Sequence, residues 1–258
     1  MAVHMKMNNT HKFNGKAMTY SKYRPSYPDQ LILDMITEHH LKKDSRIADI
    51  GSGTGNFAKK MLDVNLHVLA VEPNKEMRHI AEQQLQNKNL FTSIDGTAEQ
   101  TTLSASSVDL ITVAQAFHWF HTTAFRKECH RILKPSGKVL LISNSRVLEA
   151  PIIQDTITIY TKYCPDFRGF SNGIEESSDI YQDFFNNGKY QLHTYSFPLT
   201  YDKTSFIGRH LSASYALNKA NKDFPFFVEA FSELFERYQQ SGIITLPNQT
   251  VTRCGSVF

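Results

Sequence analysis

The chain has 258 residues, 41% of them hydrophobic, and a formal net charge of +3. That supplies the core of one large α/β domain, or of a domain with a sub-domain, and so small a charge excludes bulk attraction to nucleic acid or to an anionic membrane. Cys129, Cys164 and Cys254 lie too far apart for a disulfide framework or a zinc spacing. That usage fits a reducing cytoplasm, and no apolar run reaches the ~18 residues of a membrane span.

Residues 1–18 read as a flexible arm, without the apolar stretch of a signal peptide. Lys6, Lys12, Lys16, Lys22 and Arg24 all precede the first acid, Asp29. They form either a solvated arm or, in its last part, a cover over a bound anion. "PDQLILDMITEHHL" has helical spacing after Pro28, and "SRIADI" is a short buried strand. A glycine-rich turn leads into the helix "NFAKKMLD". "NLHVLAVEP" is a second strand, and "NKEMRHIAEQQLQ" a helix with Asn74 as its N-cap. "LFTSIDGTAEQ" gives a third strand and turn, and "SVDLITVAQAFHWF" opens as a fourth strand. "TTAFRKECHRIL" is a helix closed by "KPSGK", and "KVLLISN" is the fifth strand. This alternation predicts a doubly wound parallel sheet with helices on both faces, its ligand lying outside the strand C-termini.

Beyond residue 145 the pattern changes. "IIQDTITIYTKY" reads as helix, "KYQLHTYSFPLTYD" as one strand, "FPFFVEAFSELFERYQQSG" as an amphipathic helix stopped by Gly242, and "QTVTRCGSVF" as a last strand. The second half therefore adds helices and a closing hairpin, without a second nucleotide fold.

The stretch "IADIGSGTGNF" places Gly51, Gly53 and Gly55 between strand and helix, where a ligand can approach bare backbone and free helix N–H groups. Asn56 stands where the dinucleotide fingerprint has its third glycine. Glu72 follows Gly51 by 21 residues and ends the neighbouring strand. An acid there accepts hydrogen bonds from both hydroxyls of a ribose. Together these residues point to an adenosine-type ligand and leave open a dinucleotide or S-adenosylmethionine.

At this point the chain resembles the class I S-adenosylmethionine-dependent methyltransferases. The likeness is to their small-molecule branch, of the methyltransferase type 11 or trans-aconitate methyltransferase kind. It is carried by Tyr20-Ser-Lys-Tyr-Arg24-Pro25-Ser-Tyr27-Pro28, by "LAVEPNKEM", by "AFHWF" after the fourth strand, and by "LKPSGKVLLI". "FIGRHLSASYA" and "LPNQTVTRCG" continue it, so the likeness spans roughly residues 18–258 and is weakest over 145–190. It implies a seven-stranded, mostly parallel sheet with an antiparallel last strand. It also implies a cofactor-binding core over 19–145, a helical lid carrying acceptor contacts over 146–188, and a C-terminal part over 189–258. The implied cofactor is S-adenosyl-L-methionine and the implied partner a small-molecule acceptor, without nucleic acid, membrane or metal.

The same resemblance distributes roles. Asp49, Gly51, Ser52 and Gly53 hold the amino-acid tail of the cofactor, with Gly55 closing the loop. Tyr20 and Arg24 reach over from the N-terminal segment, unless Arg24 is a surface charge. Glu72 takes the ribose. Pro73 and Met77 wall the adenine, Met77 serving otherwise as helix core. Thr97 and Ala98 meet the adenine edge, although the family often has an acid where Thr97 stands. Gln115 lies beside the methyl. Phe117, His118 and Trp119 either form a wall toward the acceptor or are core. His118 is either the general base or a structural hydrogen-bonding residue. Ser212, Ser214 and Tyr215 hold the acceptor. The rings of Tyr160, Tyr163, Phe167 and Phe170 either favour an acceptor with an apolar or aromatic portion or close the lid's own core. Transfer to O or N of a small molecule, such as a carboxylate or a secondary metabolite, leads. A protein or nucleic-acid methyltransferase, a dinucleotide oxidoreductase and a cofactor-binding module without turnover are the alternatives.

Overall fold

The computed structural model describes residues 25–170 and 179–258. Nine strands and eight α-helices follow in chain order among these residues. They begin with α1 (Asp29–Glu38), β1 (Arg46–Ile50), α2 (Asn56–Asp63), β2 (His67–Val71), α3 (Lys75–Leu85) and β3 (Phe91–Ile94). β4 (Val108–Ala114), α4 (Thr122–Ile132), β5 (Leu133–Arg146), α5 (Pro151–Tyr163) and α6 (Asp179–Phe184) come next. The chain closes with β6 (Gln191–Ser196), β7 (Leu199–Tyr201), α7 (Lys203–Leu211), α8 (Phe224–Tyr238), β8 (Ile244–Leu246) and β9 (Asn248–Gly255).

The main sheet has seven strands in the order β3-β2-β1-β4-β5-β9-β6. β1 to β5 pair in parallel, and β9 runs antiparallel between β5 and β6. This is the doubly wound arrangement expected from the strand-helix alternation. The order reverses at β1 and β4, so the crevice lies above those two tips. β1 reads as a continuous apolar run because both its faces are covered. One face packs Ile47, Val68 and Leu110 against Leu31, Phe57 and Met61 of α1 and α2. The other packs Ala48, Leu69 and Ile111 with Phe125 and Cys129 of α4 and Phe184 of α6.

A third core stands apart from the sheet. Ile153 and Tyr160 of α5, Phe206 of α7, and Phe227, Phe231 and Phe235 of α8 close it with the two-stranded sheet β7-β8. The segment expected as one lid therefore divides. α5 joins this third core, whereas Tyr181 and Phe184 of α6 join the core under the main sheet. The rings of Tyr160 and Phe170 are buried in the third core, with Tyr163 and Phe167 packed against it.

Two boundaries differ from expectation for local reasons. The stretch expected as one strand is two strands, β6 and β7, in different sheets. Pro198 sits at the break, where it can donate no ladder hydrogen bond. α8 ends at Tyr238, before Gly242. Ser241 and Gly242 both have positive φ, 50° and 79°. Gln240 and Ile243 exchange backbone bonds of 2.8 and 3.0 Å around them. Gly242 thus closes a tight hairpin turn whose twist requires positive φ, not the helix.

Candidate active site

The site starts from the tip of β1. Asp49 is 1% exposed, and its Oδ1 accepts the Thr112 hydroxyl at 2.9 Å. Its Oδ2 is buried with no hydrogen-bond partner among the described residues. Burial pushes this carboxyl up to about 7, against the Thr112 bond, and the nearby Glu72 charge adds to the rise. A buried oxygen in this state costs free energy until a donor reaches it. The Ser52 and Thr54 hydroxyls in the following loop are also buried without partners. Three adjacent unsatisfied polar groups at a strand tip fit a ligand carrying an ammonium and further polar atoms.

Gly51 has φ +69°, and a Cβ on it would lie 2.6 Å from the Ala116 Cβ. Only glycine combines that backbone with that closeness. Gly55 has φ +82° as the N-cap of α2, and a Cβ there would meet Leu85 Cδ1 at 2.8 Å. Its role is therefore the packing of α2 on α3, away from the crevice wall. The Gly53 amide donates to Glu72 Oε2 at 2.9 Å, and the Asn74 amide donates to Oε1 at 2.8 Å. Glu72 thus shapes the glycine loop as well as ending β2. Burial raises its carboxyl, and these two bonds and Arg78 oppose the rise. Each carboxylate oxygen keeps a further acceptor site for a ribose hydroxyl.

Above the strand tips lies a cleft of about 1000 Å³, including the part open to solvent. Asp49, Gly51, Ser52, Gly53 and Thr54 line one side of it. Gln115, at the tip of β4, lines it with φ 59° and donates its side-chain amide to the Asn144 carbonyl at 3.2 Å. Asn144 Nδ2 donates to the Ser26 carbonyl at 3.2 Å, and its Oδ1 accepts the Thr250 hydroxyl at 2.6 Å. One asparagine thereby ties β5, β9 and the segment before α1 together beneath the cleft. His118 and Trp119, with rings 4.6 Å apart, form another wall, and Ser214 and Tyr215 after α7 face it. Tyr160 and Phe167 each stand 4.9 Å from the Tyr215 ring and hold it.

Several expected residues fall elsewhere. Phe117 is 7% exposed and packs on Phe120, Phe125, Tyr181 and Phe184, so it is core and not wall. The aromatic run divides because a short 3₁₀ turn over Phe117–Trp119 sends Phe117 and Phe120 inward and leaves His118 and Trp119 on the cleft. Ser212 is fully buried, and its hydroxyl donates to the Arg209 carbonyl at 2.6 Å. Ser214 lines the cleft. Met77 is buried in α3, with its sulfur 3.8 Å from where a Gly53 Cβ would stand. The Thr97 hydroxyl accepts the Gln100 amide at 3.1 Å within its own turn, and Ala98 is core. Pro73, Thr97 and Ala98 do not line the cleft wall. Tyr20 and Arg24 lie outside the described residues.

The sequence reading missed Asn144, Arg146 and Arg209, all of which line the cleft. Asn144 and Arg146 carried a signal, since polar residues at the end of the apolar run of β5 must sit on the crevice rim. Arg209 carried none, being one cation among the polar residues of α7. Among the described residues, no group of three His, Cys, Asp or Glu side chains is placed to hold a metal ion. No helix of the described residues is long and apolar enough to cross a membrane.

Residues 48–141 match the family model described as a methyltransferase domain. A methyltransferase-like protein of Schizosaccharomyces pombe is 33% identical, over 61% of this chain and 61% of its own length. A Mycobacterium bovis methyltransferase is 34% identical over 52% of each. The chain thus spans about half to three-fifths of the length of these two curated relatives. A methyltransferase candidate of Dictyostelium discoideum is 29% identical over 82% of this chain and 81% of its own. The solved structure of a type II methyltransferase candidate from Anaeromyxobacter dehalogenans shares the fold. Its TM-score is 0.65 at 19% identity, covering 92% of this chain and 99% of that one. Crevice, glycine loop and strand-tip acid all lie within or beside residues 48–141, the part of the chain that is similar to a methyltransferase domain.

Proposed function

We propose that this protein transfers a methyl group from S-adenosylmethionine to an O or N atom of a small molecule. The observation that carries the reading is the buried, unpartnered Oδ2 of Asp49 beside the glycine loop. It offers an anionic acceptor where an amino-acid tail needs its ammonium held. When bound, the cofactor supplies an electrophilic methyl on a sulfonium. Asp49, Ser52 and the loop amides hold the tail, and Glu72 takes the ribose hydroxyls through its remaining lone pairs. Met77, its sulfur 3.8 Å from where a Gly53 Cβ would stand, flanks the adenine.

The acceptor lies between Trp119 and Tyr215, with Ser214 beside it, under the cover of α5, α7 and α8. These aromatic walls favour an acceptor with an apolar or aromatic portion. A cleft of about 1000 Å³, its open part included, suits a small-molecule acceptor. Enclosure also orients the nucleophile toward the methyl and keeps water out, the two contributions a displacement of this kind needs. His118 stands in the cleft and takes the proton when the acceptor is a hydroxyl or an ammonium. A carboxylate acceptor requires no base.

Calorimetry with S-adenosylmethionine, S-adenosylhomocysteine and NAD tests the reading. We expect saturable binding of the first two and none of NAD. Absence of binding by both adenosyl compounds would reject it. Tight binding without turnover on any acceptor would leave a cofactor-binding module.

A further inference from the structure

We propose that a second pocket, on the opposite face of the sheet from the cleft, binds a small oxyanion of the phosphate or carboxylate kind through Arg253. This pocket has a volume of about 310 Å³, its open part included. Phe117, Leu141, Ser143 and Arg253 line it, together with Gln115 and His118, which also line the cleft. Successive side chains of a strand point to opposite faces of the sheet. On β5, Asn144 and Arg146 therefore face the cleft, while Leu141 and Ser143 belong to the other face. Arg253 of β9 lies opposite Leu141, on that same face. The pocket is thus separate from the space assigned to cofactor and acceptor, and the proposal stands without the methyltransferase reading.

The Arg253 Nε is buried with no hydrogen-bond partner among the described residues. None of the ion pairs among those residues includes Arg253. No acidic side chain lines the pocket. Its cross-strand neighbours are Leu141 on β5 and Leu192 on β6, which offer it no acceptor side chain. The guanidinium carbon lies 4.1 Å from the centroid of the Tyr181 ring, which is buried on α6. That stacking fixes the plane of the group and leaves its edge donors directed along the plane. A buried charged donor without a partner costs free energy, and an anion placed against it recovers that cost. A guanidinium fork meets two oxygens of a carboxylate or phosphate at once. Ser143 adds a hydroxyl donor from the neighbouring strand, while Phe117 and Leu141 are apolar. One cation, one hydroxyl and so small a volume fit a small ion, not an extended polyanion.

The test titrates the whole chain with inorganic phosphate, sulfate or acetate against chloride at matched ionic strength. Trp119 is the chain's single tryptophan, and its ring lies 4.6 Å from that of His118, which lines the pocket, so its fluorescence is the reporter. We expect a saturable fluorescence change with at least one oxyanion, and a thermal midpoint that rises as the site fills. Whether phosphate and sulfate or acetate acts at the lower concentration identifies the group. Arg253→Gln should weaken that ion about tenfold. Ser143→Ala keeps the arginine and should weaken the ion to a smaller extent, which tests the site even where Arg253→Gln fails to fold. Arg146→Gln, on the cleft face, should leave the affinity for the ion within about twofold of wild type. Oxyanions that act no differently from chloride would overturn the proposal. So would an affinity that survives both Arg253→Gln and Ser143→Ala, or one that is lost with Arg146→Gln. S-adenosylhomocysteine should bind Arg253→Gln as it binds wild type, and its failure to bind either protein would count against the methyltransferase reading alone.

Discussion

At Asp49 one side chain sets both a cost and a function. Burial first, and then the Glu72 charge, push its carboxyl up from 3.8 to about 7. Between those values the folded protein holds more protons than the unfolded chain, so this residue's contribution to stability falls as pH rises through that window. An ammonium ligand requires the charged form. Affinity for S-adenosylhomocysteine should therefore weaken by up to about tenfold per unit as pH drops below 7. Asp49→Asn should bind weakly and show a flatter pH profile, measured by calorimetry between pH 5.5 and 8. Gly51→Ala tests the loop itself. A methyl there meets the Ala116 Cβ at 2.6 Å on a backbone of φ +69°. We expect about 1–3 kcal/mol lost in urea unfolding, together with weakened cofactor binding.

Between elements, the loop after β3 is fixed to α4 by one acid. Glu128 Oε1 accepts both the amide of Thr101, at 2.9 Å, and its hydroxyl, at 2.5 Å. Arg131 donates to the same carboxylate at 2.7 and 2.8 Å. Burial would raise the Glu128 carboxyl, but these bonds hold it down at about 2. The stabilisation is present above the ordinary value of 4.5 and is lost as pH falls from there toward 2. Glu128→Ala leaves the buried Thr101 amide unpaired and should cost about 2–3 kcal/mol. Denaturant curves at pH 7 and pH 3 should show a smaller difference between variant and wild type at the lower pH.

For the molecule as a whole, the cleft is lined both from the main sheet and from the segment beside the third core. Asp49, the glycine loop and Glu72 stand on the main sheet or its loops, while Arg209 belongs to α7, and Ser214 and Tyr215 follow it, beside the third core. Phe231 is fully buried there and stacks 4.0 Å from His210. Phe231→Ala should cost about 3–5 kcal/mol of that core's stability. The measurements are a thermal midpoint and a calorimetric titration. We expect the midpoint to fall and S-adenosylhomocysteine to bind within about twofold of wild type, because the sheet is packed separately. Saturating S-adenosylhomocysteine at 100 times its Kd should stabilise the wild-type protein by about 2.7 kcal/mol.

The main sheet was legible in the sequence because its signals are local. Apolar runs as short as β1, bounded by Gly51 and by Pro73 after β2, give strand positions directly, and Asn74 announces α3 by a bond to Met77 three residues on. The glycine loop and Glu72 were legible for the same reason, since a turn's conformation is set by the residues in it. The third core was not, because it is made of aromatic and aliphatic side chains between 152 and 246 whose partners no periodicity reveals. Which ring of "AFHWF" faces the cleft was decided by a single 3₁₀ turn, and which serine of "HLSASY" by where α7 ends. That Arg146 and Arg209 line one cleft depends on bringing the rim of β5 to a helix 63 residues further along. By itself the sequence determined the sheet, the crevice and the ligand class that its loop fits. Only the tertiary structure decided what else faces that crevice, because contacts between distant segments are fixed by packing and not by the order of the chain.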